Sequence, residues 1–388
     1  MLNHQHMDVT VNNARNKSDL GNKPSRSISR RSFIRLAAAS LGAVLVHPWE
    51  RVIAVPEFPQ YEKLGRAFAK VEIKARPDYD APTVGVIYDD AVVPWLREVV
   101  GRHPYRYKQR FVETPDGYIW ASELQPVKNQ PNTPLTTLPS TSLGNGMWVE
   151  VTVPYVDVIL ENKPISPGFK NKIAAQIPIR LYYSQILWVD RVRQTENGRI
   201  LYRVNERFGY GDLMWADATA FRPLTPDEMT PINPEVEDKR IEINVEERYQ
   251  TLSCYEGKTE VYFCRISAGK KFDPEGKPLP SSSTPTGTHT IWRKLVSTHM
   301  SGGTTGGGYD LPGIGWTALF SGDGVAIHST FWHNNFGGEL MSHGCVNATP
   351  EDAKWIFRWT HPPVQYDPGD LYSKDTPIPP TKVTVLEG

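Results

Sequence analysis

Three shortages limit what this sequence can do. Cysteine is scarce, with three in 388 residues and no C-x-x-C pair, so a paired redox thiol has no partner. A structural zinc site wants four Cys or His ligands at set spacings, and one cysteine near His328, His333 and His343 does not supply them. No metal or cofactor is expected. Charge of one sign is also lacking. The 43 Lys plus Arg balance 43 Asp plus Glu, so no broad basic face is offered to a nucleic acid. The third shortage is a membrane-spanning run: the uncharged apolar stretch from Leu36 to Val46 has 11 residues, against about 20 needed to cross a hydrocarbon core of roughly 30 Å. What is abundant is proline (33), tryptophan (11) and tyrosine (17), among many short apolar stretches. That composition suits a turn-rich, mainly β chain, and the length suggests about two or three domains.

Ser29, Arg30, Arg31, Ser32 and Phe33 precede the short apolar run, which is the pattern of a twin-arginine export signal over residues 1–47. No lipobox cysteine and no clean A-x-A site follow, so any membrane attachment is peripheral or through this segment alone. Export gives the cysteines meaning, because an oxidising exterior penalises stray thiols. "TLSCYEGKTEVYFC" reads as a hairpin turning at Glu256 to Lys258. Such a turn sets Cys254 opposite residues 259 to 261 and leaves Cys264 too far along to pair. Both are expected to be small buried residues. Cys345 is left as an odd, exposed thiol kept for its reactivity.

Two Pro/Thr/Ser/Asn-rich stretches, 129–146 and 225–238, read as linkers. They divide the chain into blocks at 66–128, 147–224 and 239–388. The first two blocks share an ending: "GYIWASELQPV" and "GDLMWADATAFRPL" each run glycine, apolar strand, Trp-Ala, then an apolar residue before x-Pro. They are expected to be tandem small β-barrels. "VEIKARPDYDAPTVGVIYDDAVV" with the ending at Trp120 resembles a bacterial SH3-like wall-binding domain, and the second block is a more divergent version of it.

The third block opens with alternation: Ile241, Ile243 and Val245 apolar, Glu242 and Asn244 polar between them. Pro285 and Gly287 predict a turn before a strand from Thr288 to Trp292. One short helix is expected, with Thr349 as N-cap, Pro350 at the first position, and Glu351 and Asp352 in the first turn. Just before it stands "SHGCVN", Ser342 to Asn347. A nucleophilic thiol needs a base, main-chain oxyanion donors and room for the acyl group. Gly344 leaves that room, and the N–H groups of Gly344 and Cys345 are candidate donors. Either His328 or His343 can be the base on spacing alone, since residues two apart on a strand share a face.

His328 followed 15 residues later by Ser-His-Gly-Cys-Val-Asn resembles the catalytic motif of the L,D-transpeptidases of the YkuD type. The likeness extends over roughly residues 238–388 and includes "STPTG" and "STHMSGGTTGGGYDLPGIGW". The resemblance implies an all-β catalytic fold with a cysteine acyl-enzyme. Its substrates would be peptidoglycan stem peptides in the cell wall. It also implies that Cys345 is the nucleophile, His328 the base, and the carbonyl of Ser329 the acceptor that fixes the imidazole. Ser329 stands where many relatives have glycine; because its carbonyl is what counts, the change alters little. His343 would shape the oxyanion pocket and Asn347 would hold the loop or substrate. Ser342, Thr330 and Met300 join as substrate-side residues. Tyr309 and Trp316 match the lid segment and are otherwise core aromatics, and His333 reads as loop packing. The expected reaction is cross-linking by a monomer. The same acyl-enzyme would serve an L,D-carboxypeptidase or the tethering of proteins to the wall, and a non-catalytic wall-binding protein is the rival from another class.

Overall fold

Short apolar alternations become strands nearly throughout. The computed structural model describes residues 54–387 apart from 247, 272–276, 278, 280, 281, 303–308 and 323, so the twin-arginine segment lies outside the described residues. The described chain is mainly β, with two α-helices, Pro167–Ala174 and Pro350–Trp359. None of its helices is long and apolar enough to cross a membrane.

In the first block a five-stranded sheet and a three-stranded sheet enclose Val71, Ile73, Trp95, Val112, Ile119 and Leu124. The second block is built on a six-stranded antiparallel sheet around Met147, Val149, Leu187, Val189, Tyr202 and Met214. Their endings share one local geometry: strand Gly117–Trp120, a 3-10 turn at Ala121–Glu123, strand Leu124–Val127; then strand Leu213–Asp217, a turn at Ala218–Ala220, strand Phe221–Pro223. The turns start from nearly the same backbone, φ −61° and ψ 124° at Trp120 and φ −62° and ψ 121° at Asp217. The Trp-Ala pairs that suggested the kinship are therefore offset. Trp120 corresponds to Asp217, two residues beyond Trp215, and a two-residue step keeps side chains on the same faces.

The third block packs two five-stranded sheets around the helix Pro350–Trp359. One runs, in spatial order, Thr259–Arg265, Tyr249–Glu256, Lys239–Glu246, Lys382–Leu386, Gly287–Thr290. The other runs Val346–Ala348, Ala326–Ser329, Tyr309–Leu319, Arg293–Gly302, Asp370–Tyr372. Ile241, Ile243 and Val245 point into the core as the alternation requires. The strand after Pro285 stops at Thr290, two residues short of expectation, because Ile291 turns into the core and the next strand starts at Arg293. Cys254 lies opposite Tyr262, not residues 259 to 261, since an irregularity between Cys254 and Tyr255 adds a residue to the register. Both cysteines are nonetheless free and buried. The helix is capped as its sequence dictates: the Thr349 side chain accepts from Asp352 N–H. At its other end Lys239 donates to Trp359 O and Lys294 donates to Thr360 O and Pro362 O, at 2.7 to 2.9 Å.

Two polar clusters join the blocks. Arg66 donates to Gln125, to Asp90, and across to the carbonyl of Phe331 in the third block, at 2.7 to 2.9 Å. Asp90 also receives Arg180 of the second block at 2.7 Å, and the Arg66 guanidinium lies 4.2 Å over the ring of Tyr182. The other cluster centres on His299, whose Nδ1 is 2.6 Å from Glu206 and whose Nε2 is 2.8 Å from Asp310. Asp310 in turn accepts from Gly168 N–H in the first turn of the second block's helix, at 3.0 Å. Segments 129–146 and 225–238 are hydrogen-bonded to the body, through Ser142 to Asp367 and through Thr230 O to Arg358.

Candidate active site

Strands Ala326–Ser329 and Val346–Ala348 pair in parallel, with His328 beside Asn347 and Ile327 beside Val346. Residues two apart on a strand face the same way, so Ala326, His328 and Asn347 share one face, and Cys345 immediately precedes the second strand. The Cys345 thiol lies by the backbone at the start of the first strand, near Ala326 N–H and 3.9 Å from Gly324 O. This pairing sets the strand of His328 beside the segment that starts just after Cys345. The other candidate, His343, is exposed and lies against Tyr309, ring centroids 5.2 Å apart.

The His328 ring is buried, and its Nδ1 lies 2.9 Å from the carbonyl oxygen of Ser329. A carbonyl can only accept, so Nδ1 carries the proton and Nε2 keeps its lone pair. Burial pulls the imidazole down to about 4. The thiol of Cys345 moves the other way: burial pushes it up to about 11, partly offset by the N–H of Ala326. At neutral pH both groups are therefore uncharged. Cys345 is only half-buried as a residue, so a carbonyl compound can approach it. The hydroxyl of Ser329 accepts from Gly315 N–H at 3.1 Å, which ties the residue after His328 to the central strand of the sheet.

Gly344 sits at φ 118°, a conformation that L side chains avoid, and its carbonyl accepts from Thr284 at 2.9 Å. Ser342 braces the same turn, donating to the carbonyl of Cys345 and accepting from Gly344 N–H. Two expectations change here. Gly344 N–H is already given to Ser342, so the oxyanion pair expected from sequence loses one member. The Ser342 hydroxyl serves the loop and is not left for substrate.

Asn347 is fully buried and holds the loop through His333, 2.7 Å from Nδ2 to Nε2. Asn335 N–H donates to the other ring nitrogen at 3.2 Å, and burial keeps this ring neutral, down to about 3. A neutral imidazole has one N–H, which must then be on Nε2. Two donors cannot face each other, so the amide of Asn347 belongs the other way round. Its oxygen then accepts from His333, and its NH2 takes the buried position where Oδ1 has no partner. His333 is thus part of the site's support and not mere loop packing.

Trp316 is a core aromatic: it is buried, at φ 55°, edge-on to Phe357 at 5.4 Å. Of lid and core, it occupies the core. Tyr309 faces His343, Met300 is half-buried on the neighbouring strand, and Thr330 is buried with its hydroxyl unpartnered. Thr330 and His333 border a cavity of about 340 Å³ beyond the ends of the two parallel strands. No cluster of three or more His, Cys, Asp or Glu side chains with metal-binding geometry occurs among the described residues.

Residues 238–384 match the YkuD family, the L,D-transpeptidase catalytic domain. The matched region is the block that carries His328 and Cys345. A curated Mycobacterium tuberculosis protein named "Probable L,D-transpeptidase 3" is 29% identical over 90 residues, 22% of this chain and 33% of that protein. The chain thus spans about a third of the length of that relative. A crystal structure of a mutant Enterococcus faecium L,D-transpeptidase is 24% identical, covering 39% of this chain and 51% of that one, with a TM-score of 0.28. The catalytic domain from E. faecium L,D-transpeptidase is 23% identical over 39% of this chain and 98% of that one, with a TM-score of 0.28.

Proposed function

We propose that the chain is an exported cysteine acyltransferase that cross-links peptidoglycan stem peptides. The observation that carries this is the parallel pairing that sets His328, locked in the competent tautomer, beside a buried asparagine and next to the segment bearing Cys345, all inside the region matched by the L,D-transpeptidase family.

In this mechanism Cys345 Sγ attacks the carbonyl carbon at the L-centre of a tetrapeptide's third residue. Its proton passes to His328 Nε2 as the C–S bond forms. Cys345 N–H and the rim at His343 offset the oxyanion. The C–N bond then breaks, and D-alanine leaves with the proton from His328. An amine from a second stem attacks the thioester, gives up its proton through His328 and restores the thiol. Since both groups start neutral, charge develops only during attack and no resting ion pair has to be desolvated. The blocks at 66–128 and 147–224 are SH3-like modules that hold the enzyme, as a monomer, on the wall. Arg30 and Arg31 direct twin-arginine export.

The test is incubation with defined tetrapeptide muropeptides, read by mass. Loss of D-alanine with a joined product supports transfer to an amine. A tripeptide alone means that water is the acceptor and the enzyme is a carboxypeptidase. No acyl adduct at Cys345 with substrate or with a carbapenem refutes the enzymatic reading.

A further inference from the structure

None of the steps above uses the far end of the second block's helix. The helix Pro167–Ala174 starts firmly: Ser166 caps it by accepting from Phe169 N–H at 3.2 Å, and Phe169 is buried in the second block's core. Its other end runs into Ile-Ala-Ala-Gln-Ile-Pro, residues 173–178, every one of them exposed, Ile173 at 49% and Ile177 at 54%. The chain returns to the core only at Ile179. This is a closed turn and not slack chain. Gln176 N–H donates to Ile173 O at 3.1 Å and Ile177 N–H to Lys172 O at 2.8 Å. Gln176 stands at φ 57°, a left-handed conformation that a residue of its kind seldom adopts. A lone exposed isoleucine is ordinary, but two held out on a closed turn mark a surface meant to be covered.

Charge says by what. Between Glu161 and Asp190 the chain has four basic residues and no acidic one. Arg180 is taken by Asp90 and Asp157, and the Lys172 ammonium lies 6.0 Å over the Tyr182 ring. Lys163 and Lys170 are exposed and have no carboxylate partner among the described residues. The acids nearby are engaged with the body: Glu161 with Arg203 and Trp215, Asp212 with the N–H groups of Ile165 and Ser166, Asp310 with His299 and Gly168 N–H. What projects is apolar at its tip and basic at its flank.

We propose that this turn docks the protein on an anionic lipid bilayer, with the side chains of Ile173 and Ile177 entering the headgroup boundary and Lys163 and Lys170 meeting lipid phosphates. Aliphatic tips with basic flanks suit that boundary, and the turn has no ring on which a nucleic-acid base could stack. Because Gly168 N–H is held by Asp310, the neighbour of Tyr309, docking here brings the hairpin that carries Tyr309 close to the membrane. The inference stands apart from the acyl-transfer reading.

The test uses Trp49–Gly388, a compact unit by itself, so that the arginine pair and apolar run within residues 30–46 contribute nothing. Cosedimentation is measured with vesicles of equal parts phosphatidylglycerol and phosphatidylcholine, and with vesicles of phosphatidylcholine alone. The mixed vesicles should bind at least tenfold tighter than the neutral ones, and more weakly as salt rises. Ile173→Ser with Ile177→Ser should weaken that binding at least tenfold. Lys163→Gln with Lys170→Gln should weaken it about 25-fold, since one basic residue at an anionic surface is worth about fivefold. Both variants should keep the wild-type melting curve. No binding to the mixed vesicles, equal binding to the neutral ones, or binding that survives both pairs of substitutions would overturn the proposal. So would a dimer, seen by light scattering, that the isoleucine substitutions dissociate, for the turn would then be an interface between copies. Carbapenem acylation of Cys345 is read separately, so a dead Cys345 with intact vesicle binding would sink only the transfer reaction.

Discussion

His299 is fully enclosed between Glu206 and Asp310, and those two carboxylates outweigh the burial that would otherwise lower its pKa, lifting the imidazolium to about 9. The other groups facing the cluster are Asp212 behind Glu206, Lys172 near Asp310, and the Tyr210 ring at 5.0 Å. An ordinary histidine titrates near 6.5, so the proton is worth about 3 kcal/mol to the folded state. The sign follows from the raised pKa. The contribution is whole below about pH 6.5, shrinks through neutrality and is gone above about pH 9. At about 2 °C per kcal/mol for a chain of this size, the wild-type melting temperature should fall by several degrees between pH 6.5 and 9. His299→Gln can bond to only part of the cluster and carries no charge. It should melt lower at pH 6.5 and show little further fall up to pH 9. The cluster pins the second block's helix to the bases of strands Arg293–Gly302 and Tyr309–Leu319, so acylation of Cys345 should slow in the same pH window. The assay is calorimetric melting across that range for both proteins, beside carbapenem acylation rates. A wild-type melting temperature that stays flat, or a His299→Gln variant that keeps the wild-type slope, refutes the assignment of a protonated clamp.

The neutral thiol makes its own prediction: alkylation of Cys345 by iodoacetamide should be slow at pH 7 and climb towards pH 11. His328→Ala should leave that profile nearly intact yet cut acyl transfer by about 10²- to 10⁴-fold. A wild-type inflection near neutrality that disappears in the variant would mean a resting thiolate–imidazolium pair. Cys345→Ala should abolish both reactions with an unchanged melting curve, and residual transfer within tenfold of wild type would remove Cys345 from the mechanism. His333→Phe strands the buried oxygen of Asn347 and should cost about 1–3 kcal/mol, visible as a lower denaturant midpoint together with slower acylation; a variant as stable as wild type would show that the His333–Asn347 contact is idle. Arg30→Lys with Arg31→Lys should leave the protein in the cytoplasm, and unimpaired export in a fractionation assay would count against a twin-arginine signal.

What was legible in the sequence was local. The helix start at Thr349 and Pro350 and the strand through Ile241, Ile243 and Val245 depend on residues within a turn or two of each other, and those patterns held. The motif around Cys345 was legible for its composition, but the choice between His328 and His343 was not. The pairing that sets His328 beside Asn347 joins strands whose register no local rule specifies. His299 meets its carboxylates across 93 and 11 residues, and Arg66 meets Phe331 across 265. Neither contact leaves a trace in spacing. Trp316 looked equally suited to lid and core because an aromatic residue in a glycine-rich stretch fits both, and only packing against Phe357 decides.

Arg66 bears on how such a chain can be inherited. One guanidinium from the first block holds a carbonyl two residues beyond Ser329, and through Asp90 it is wired to Arg180 of the second. Excising the third block as a separate enzyme would leave the Phe331 carbonyl without its donor and bare the stacked face shared by Tyr182 and Phe331. Recombination that exchanges the amino-terminal block for another would have to import an arginine at the matching place or lose a hydrogen bond to the loop that follows Ser329. Exchange of any one block therefore has a cost felt by the other two, through the guanidinium and carboxylate that link them.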